Sequence, residues 1–550
     1  MSESKLNIIL AQLRKEREVK SSNVLSTDRF GNTITLNEKQ IEAVQRIARG
    51  ESIVLCGAAG TGKTTSQKAA LQELILSGKA GVLDAEDHSH LESGTPGIII
   101  CAFTRRAVTN IKKNLPTDLQ KNCVTVHKLL EFRPVYYPVT NEKTGEEKMT
   151  MRFEETRNSF HPLPRSIRAI VIEESSMLGI DLYKKLKNAL PHTVQWIFLG
   201  DIQQLRPVFG PAILGFKLLQ LPVIELTQVY RQALESPIIR LAHRILSGVP
   251  IPATEFSEWK VPGQLTLHPW KKKISDLNAL NTAAMFFVGN KHLVSDLDKQ
   301  VDGAFSKGLY DPLEDMILMP FNEAFGTIEL NKKIAHFFAW KTQSEVYEVI
   351  AGFKKHYFRV GEKVLYDKED AEILSIEKNP TYTGVSTKLP SITLDYWGHD
   401  SRQTQKPDEK VTDEDIDFML AQVASTSSED RVNQSSHRIK LKMIDSDSEI
   451  ILSKAAEVNS LLLGYALTVH KAQGSEWRKV FVLFHQSHAT MILREMLYTA
   501  ITRAKEELYV ICESDTFVKG IERQGIKGNT IEEKAEFFKG KIEAGFKFEE

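Results

Sequence analysis

At 550 residues, and at roughly 150 residues per domain, the chain is too long for one hydrophobic core and calls for about three or four domains. Its 42% hydrophobic and 26% charged residues are those of an ordinary globular protein, which excludes a largely disordered chain. Lys plus Arg and Asp plus Glu both total 71, so no overall field draws in a polyanion, and affinity for one must come from a local basic groove.

In chain order, residues 1–20 read as a short charged helix and a polar linker follows, so that 1–35 precedes the folded body. From Leu36 onward, short apolar runs alternate with helical patterns, the signature of parallel α/β architecture. Strands are expected at 53–56, 98–103, 169–172 and 197–199, each followed at once by a polar or glycine-rich cluster. Open α/β sheets bind ligands at the carboxyl ends of their strands, so these clusters should converge. Within this first domain, 36–235, residues 131–162 hold two β-prone runs around Asn141-Glu-Lys-Thr-Gly145, a protruding hairpin.

A second α/β set starts near residue 236, with strands at 316–319, 480–484 and 508–512. Its two parts, 236–365 and 455–550, flank a β-rich insertion at 366–454. That insertion has strand-like pieces at 391–397 and 437–443 and an acidic excursion around Asp413, Glu414, Asp415 and Asp417. Cys56, Cys101, Cys123 and Cys512 form no CxxC pair, which fits a reducing, cytoplasmic compartment. No run approaches the roughly 20 apolar residues that span a bilayer, so no membrane contact is expected.

The chemistry begins at Gly57-Ala58-Ala59-Gly60-Thr61-Gly62-Lys63-Thr64, with Thr65 after it, which fits the phosphate-loop pattern GxxxxGK[ST] between a strand and a helix. Its glycines let backbone N–H groups cradle phosphate oxygens at a helix N-terminus, with Lys63 on the β- and γ-phosphates and Thr64 on Mg²⁺. ATP and Mg²⁺ are therefore the expected cofactors. Two glutamates at the end of a strand are ordinarily solvated charges, but beside a phosphate loop Glu173 can take the metal and Glu174 can act as base. Gln204, after Gly200-Asp201, can hydrogen-bond a γ-phosphate and a water. Arg231 and Arg503 are candidate arginine fingers, which stabilise a transferring phosphate in a closed state.

Taken in order, these motifs resemble the RecD/Dda branch of superfamily 1 helicases, from Leu36 to about Cys512. The resemblance implies two RecA-like P-loop motor domains in tandem, the hairpin serving as a wedge and the insertion in the second domain forming a small β-barrel-like unit. Leu36-Asn-Glu-Lys-Gln40 looks like the adenine-reading segment, with Gln40 as the base contact. Phe103, Thr104 and Arg106, then Thr125 and His127, match the strand-contacting segments of the first motor domain. Thr468, His470, Lys471, Gly474 and Glu476 match the segment that links strand contact to nucleotide in the second. The Gln204-Leu-Arg-Pro207-Val208 ending resembles the 5′-to-3′ branch. Relatives usually carry Asp-Glu where this chain has Glu173-Glu174.

The implied activity is ATP-driven movement on single-stranded DNA, 5′ to 3′, with unwinding of duplex at a junction. The chain would act as a monomer in a bacterial or phage-infected cell, where it would meet single-strand-binding or replication proteins. Three readings stay open beside it: a translocase that strips proteins without unwinding, an RNA helicase, and a nucleotide-controlled binding module.

Overall fold

The computed structural model describes residues 25–27, 33–76, 97–115, 117–140, 147–207, 210–229, 236–249, 260–261, 265–269, 310–323, 326–352, 354–366, 369–382, 434–444, 447–484, 488–512 and 514–546. The expected N-terminal helix, the hairpin tip, the strand at 391–397, the acidic excursion and Arg231 lie outside the described residues.

The first lobe is a six-stranded, wholly parallel sheet in the order Val223–Leu226, Ile53–Gly57, Gln195–Gly200, Ile167–Ile172, Gly97–Ala102, Cys123–Thr125. Its central strands are buried on both faces, which is why they read as unbroken apolar runs. One face packs on the helices Glu38–Ala48 and Lys63–Leu76 through Val44, Ala70, Leu71 and Leu74. The other packs on Tyr183, Leu186 and Phe216. Cys56, Cys101 and Cys123 are buried free thiols in these layers, and burial pushes the Cys123 thiol up to about 12. Among the described residues, no helix is long and apolar enough to cross a membrane.

The second lobe repeats the plan, in the order Lys260–Val261, Leu265–Pro269, Ala504–Cys512, Trp477–Phe484, Met316–Met319, Ala466–Thr468. All its neighbours are parallel except the first pair. The strands expected at 316–319, 480–484 and 508–512 are all present. Inserted in this lobe is an antiparallel sheet of seven strands between Tyr347–Ala351 and Leu462–Leu463. The expected hairpin is Arg133–Thr140 paired residue for residue with Glu147–Glu154.

After its last strand the chain leaves the second lobe. Phe517 and Ile521 of the helix Ser514–Glu522 lie in that lobe's core, but Ile526, Ile531 and Phe538 are buried in the first. The Phe538 ring fills the space that a side chain on Gly215 would need, since a Cβ there would come within 2.1 Å of it. Its ring meets Phe216 edge-on at 5.0 Å. The segment from 523 to 530 is thus a strap between lobes.

Candidate nucleotide cleft and strand-contacting face

The strand Ile53–Gly57 ends in the phosphate loop, which turns through Gly60 and Gly62 at positive φ before the helix Lys63–Leu76 begins. Only glycine adopts that backbone without strain, so the pattern's glycines serve geometry first. Gly57 itself admits no side chain, because a Cβ would come within 2.4 Å of Thr61 Oγ1. The Lys63 ammonium donates to the carbonyls of Gly57 and Ala58, folded along the loop it would otherwise serve.

The neighbouring strand Ile167–Ile172 delivers Glu173 and Glu174. Glu174 adopts φ 49°, ψ 43°, a left-handed conformation that costs a non-glycine residue roughly 1–2 kcal/mol. Such strain persists only where the surroundings enforce it, and it commonly marks functional sites. Burial, joined by the adjacent Glu174 charge and opposed by Lys63, pushes the Glu173 carboxyl up to about 7.

The next strand, Gln195–Gly200, ends in a tight turn. Asp201 Oδ1 accepts from the Gln203 amide at 2.9 Å, and Asp201 O accepts from the Gln204 amide at 3.1 Å. The turn leaves Gln204 Oε1 buried without a hydrogen-bond partner among the described residues, an acceptor suited to an incoming water.

Opposite stands the second lobe. A cleft of about 130 Å³ is lined by Thr64, Glu173 and Glu174 from the first lobe and by Gly474, Glu476 and Arg503 from the second. Gly474 lies at φ +74°, where a Cβ would come within 3.0 Å of Ala107, and its carbonyl accepts from Asn110 at 2.9 Å. Close approach between lobes therefore demands glycine there. Arg503 is buried and donates to Thr499 O, Ser475 O and Thr502 Oγ1, all neutral oxygens.

This donor set fits a nucleotide with a divalent ion. Magnesium typically takes one or two carboxylates plus phosphate oxygens and water, and Thr64 with Glu173 supplies protein ligands of that kind. Thr64, in the first turn of the helix after the phosphate loop, lines the same cleft as Arg503, and a helix N-terminus of this kind favours an anion.

Several residues sit differently from their sequence expectation. Gln40 is fully buried, with Oε1 accepting from the Asn37 amide and Nε2 donating to Gly62 O at 3.3 Å. Its side chain thus closes a capping box and braces the phosphate loop, a use legible in the Asn-x-x-Gln spacing. Arg106, expected on a DNA strand, is buried between lobes, 3.1 Å from Asp370 of the inserted sheet and stacked 4.2 Å over the Trp477 ring. This is a correction: the guanidinium is committed to an ion pair and a cation–π contact.

Thr104, Thr125 and Thr468 accept hydrogen bonds from the amides of Ala107, Lys128 and Lys471, so each fixes a local turn. His127 is half-buried between the rings of Phe103 and Phe132. His470 is half-buried and Lys471 exposed on the second lobe, with burial lowering the His470 pKa.

What the motif reading missed is the role of Tyr498. Its hydroxyl accepts from the Ala59 amide at 2.7 Å and donates to Asp201 Oδ2 at 2.6 Å. The next residue, Thr499, accepts from the Leu205 amide at 2.9 Å, and Gln473 Nε2 donates to Leu205 O. Tyr498 opens the segment that carries Arg503, but its bonds are not legible there, because its partners lie 439 and 297 residues away.

A family profile for the AAA domain matches residues 40–210, and one for the UvrD-like helicase C-terminal domain matches 463–511. The ATP-dependent RecD2 DNA helicase of Deinococcus radiodurans is 26% identical over 500 residues, covering 90% of this chain and 52% of that protein. The ATP-dependent DNA helicase dda of Enterobacteria phage T4 is 24% identical over 482 residues, covering 84% of this chain and 94% of that protein. Among solved structures, the Pif1 helicase from Candida albicans aligns at a TM-score of 0.46 and 14% identity, over 92% of this chain and 99% of that one. The chain spans about half the length of the Deinococcus relative. The chain thus carries an AAA-domain match and a UvrD-like helicase C-terminal match in that order, and it is similar over most of its length to the RecD2 and dda helicases.

Proposed function

We propose that the protein is an ATP-dependent DNA helicase that moves on single-stranded DNA from 5′ to 3′ and unwinds duplex at a junction. The observation that carries this reading is the shared cleft. Thr64, Glu173 and Glu174 from one lobe and Arg503 from the other line a single space, so turnover and lobe movement are coupled by construction.

Bound ATP with Mg²⁺ would supply the free energy of each step. Lys63 and the loop amides would bind the phosphates, and Thr64 and Glu173 would hold the ion. Glu174 takes the proton from the water that Gln204 orients. Arg503 swings from its backbone carbonyls onto the γ-phosphate as the lobes close, an exchange of neutral for charge-assisted hydrogen bonds. Closing and reopening shift the lobes along the strand. Backbone contacts and base stacking of about 1–3 kcal/mol per base supply grip without sequence preference. The half-buried His127 and His470 and the exposed Lys471 are the proposed strand contacts. The hairpin Arg133–Thr140 with Glu147–Glu154 is the proposed wedge, and Phe153 at its base is 59% exposed.

The test is ATP-dependent unwinding of duplexes tailed at the 5′ or the 3′ end, with Lys63→Ala as the inactive control. Unwinding of the 5′-tailed substrate alone supports the reading. Strand-stimulated ATP turnover with no unwinding of either substrate points instead to a translocase, and stimulation by RNA but not DNA to an RNA helicase.

A further inference from the structure

One fully buried hydroxyl bridges the two lobes, and nothing in the proposed cycle uses it. Tyr498 lies on the helix Arg494–Ile501, five residues before Arg503. Its hydroxyl touches the apex of the phosphate loop and the turn that carries Gln204. The carboxylate of Asp201 must accept, so the phenol proton points to it, and the oxygen's lone pair is left for the Ala59 amide. Asp201 in turn uses its other oxygen to hold the Gln203 amide. One phenol therefore sets the orientation of the loop apex and, through Asp201, of the residues leading to Gln204. Burial and the Asp201 charge push its pKa far up, which keeps the proton in place.

We propose that Tyr498 is a positioning residue for ATP hydrolysis, locking the phosphate-loop apex and the Asp201 turn in register with the helix that delivers Arg503. The proposal rests on the ATPase reading above. Tyr498 acts through Ala59 and Asp201. Its loss leaves the Lys63 and Thr64 contacts to nucleotide in place but lets the two lobes meet out of register. A misplacement of about 1 Å near reacting groups can cost about a hundredfold in rate.

The experiment compares wild type, Tyr498→Phe, Asp201→Asn and the double variant by strand-stimulated ATP turnover, binding of a fluorescent ADP, and thermal melting. Phe keeps the ring and its packing and removes only the hydroxyl. The expected result for Tyr498→Phe is a kcat lower by about 10- to 100-fold, with KM for ATP and ADP affinity within about twofold of wild type. The double variant should lose no more than the worse single one, because both break the same link. Turnover at the wild-type rate overturns the proposal. So does a parallel loss of ADP binding and melting temperature, which a purely structural phenol would produce, and so do losses that multiply in the double variant. A wild-type chain that binds ADP but turns over no ATP overturns the ATPase reading and this proposal with it. A normally active wild type with an unaffected Tyr498→Phe overturns this one alone.

Discussion

The two lobes meet along two seams of opposite chemistry. On the nucleotide side the bonds run from Tyr498 to Ala59 and Asp201, from Thr499 and Gln473 to Leu205, and from Asn110 to Gly474. Of those groups only Asp201 carries a charge. On the side of the inserted sheet, Arg106 pairs with Asp370 at 3.1 Å, Lys363 lies 3.6 Å from the same carboxylate, and the Trp477 indole donates to it at 2.9 Å. Asp370 is 1% exposed and Lys363 is fully buried. Burial works against the Asp370 charge, but Lys363 and Arg106 outweigh it and hold the carboxyl below the usual range.

The difference matters for motion. A neutral hydrogen bond contributes about 0.5–1.5 kcal/mol net and can be exchanged for one to water or phosphate at small cost. Uncoupling one member of a buried ion pair costs about 3–5 kcal/mol, because the charge left behind is neither solvated nor paired. The neutral seam is therefore the cheaper of the two to part, which makes the charged seam the natural pivot for the proposed lobe movement.

The strongest test of this contrast is Arg503→Ala. Turnover stimulated by single strands should fall by about 10³-fold or more with melting temperature little changed, since the lost hydrogen bonds go to neutral carbonyls. A large loss of stability instead would mean that the nucleotide seam is structural, and the contrast would collapse.

Asp370→Asn probes the pivot. It should cost about 3–5 kcal/mol in denaturant unfolding, because it removes the one negative charge that Arg106 and Lys363 share. A cost under about 1 kcal/mol would show that water reaches this seam and that it can part during the cycle.

Next in size is Gly215→Ala, which acts on neither seam directly. The new Cβ would collide with the Phe538 ring and pry the strap helix Ile531–Glu543 from the first lobe. Overpacking of this kind costs about 1–3 kcal/mol. The strap is anchored beside the neutral seam, where Glu495 accepts from the Gly525 and Ile526 amides and Arg494 donates to Asn529. Loosening it should therefore raise the Mg·ATP concentration needed for half-maximal turnover, and an unchanged value would separate strap from cleft.

The smallest effect is expected from Glu173→Asp, which withdraws the carboxylate by about one carbon–carbon bond and restores the residue usual in relatives. Titration of turnover with Mg²⁺ should give a shifted midpoint and a kcat within about tenfold of wild type. A full loss of activity would mean that the longer side chain is matched to a retracted strand.

Much of this site was legible because it is local. The phosphate loop, the carboxylates after a strand and the helix that follows Lys63 are set by backbone demands within ten residues. The fully buried central strands announced themselves as apolar runs. The strands Cys123–Thr125, Val223–Leu226, Leu265–Pro269 and Ala466–Thr468, at or next to the sheet edges, did not, being only three to five residues long. Gln40 was read by resemblance as an adenine contact, while its capping role could have been read from Asn37 three residues before it.

By itself, then, the sequence determined that the chain builds two α/β lobes and carries a nucleotide loop, since strand burial and glycine geometry follow from neighbouring residues. Only the tertiary structure decided that Arg106 belongs to a buried ion pair, that Tyr498 joins the two lobes, and that the chain's last helix returns to the first lobe. Those pairings span up to 439 residues. A tyrosine or an arginine looks the same in sequence whether it faces water, a strand or a buried partner, and burial chooses among these only once the lobes have met.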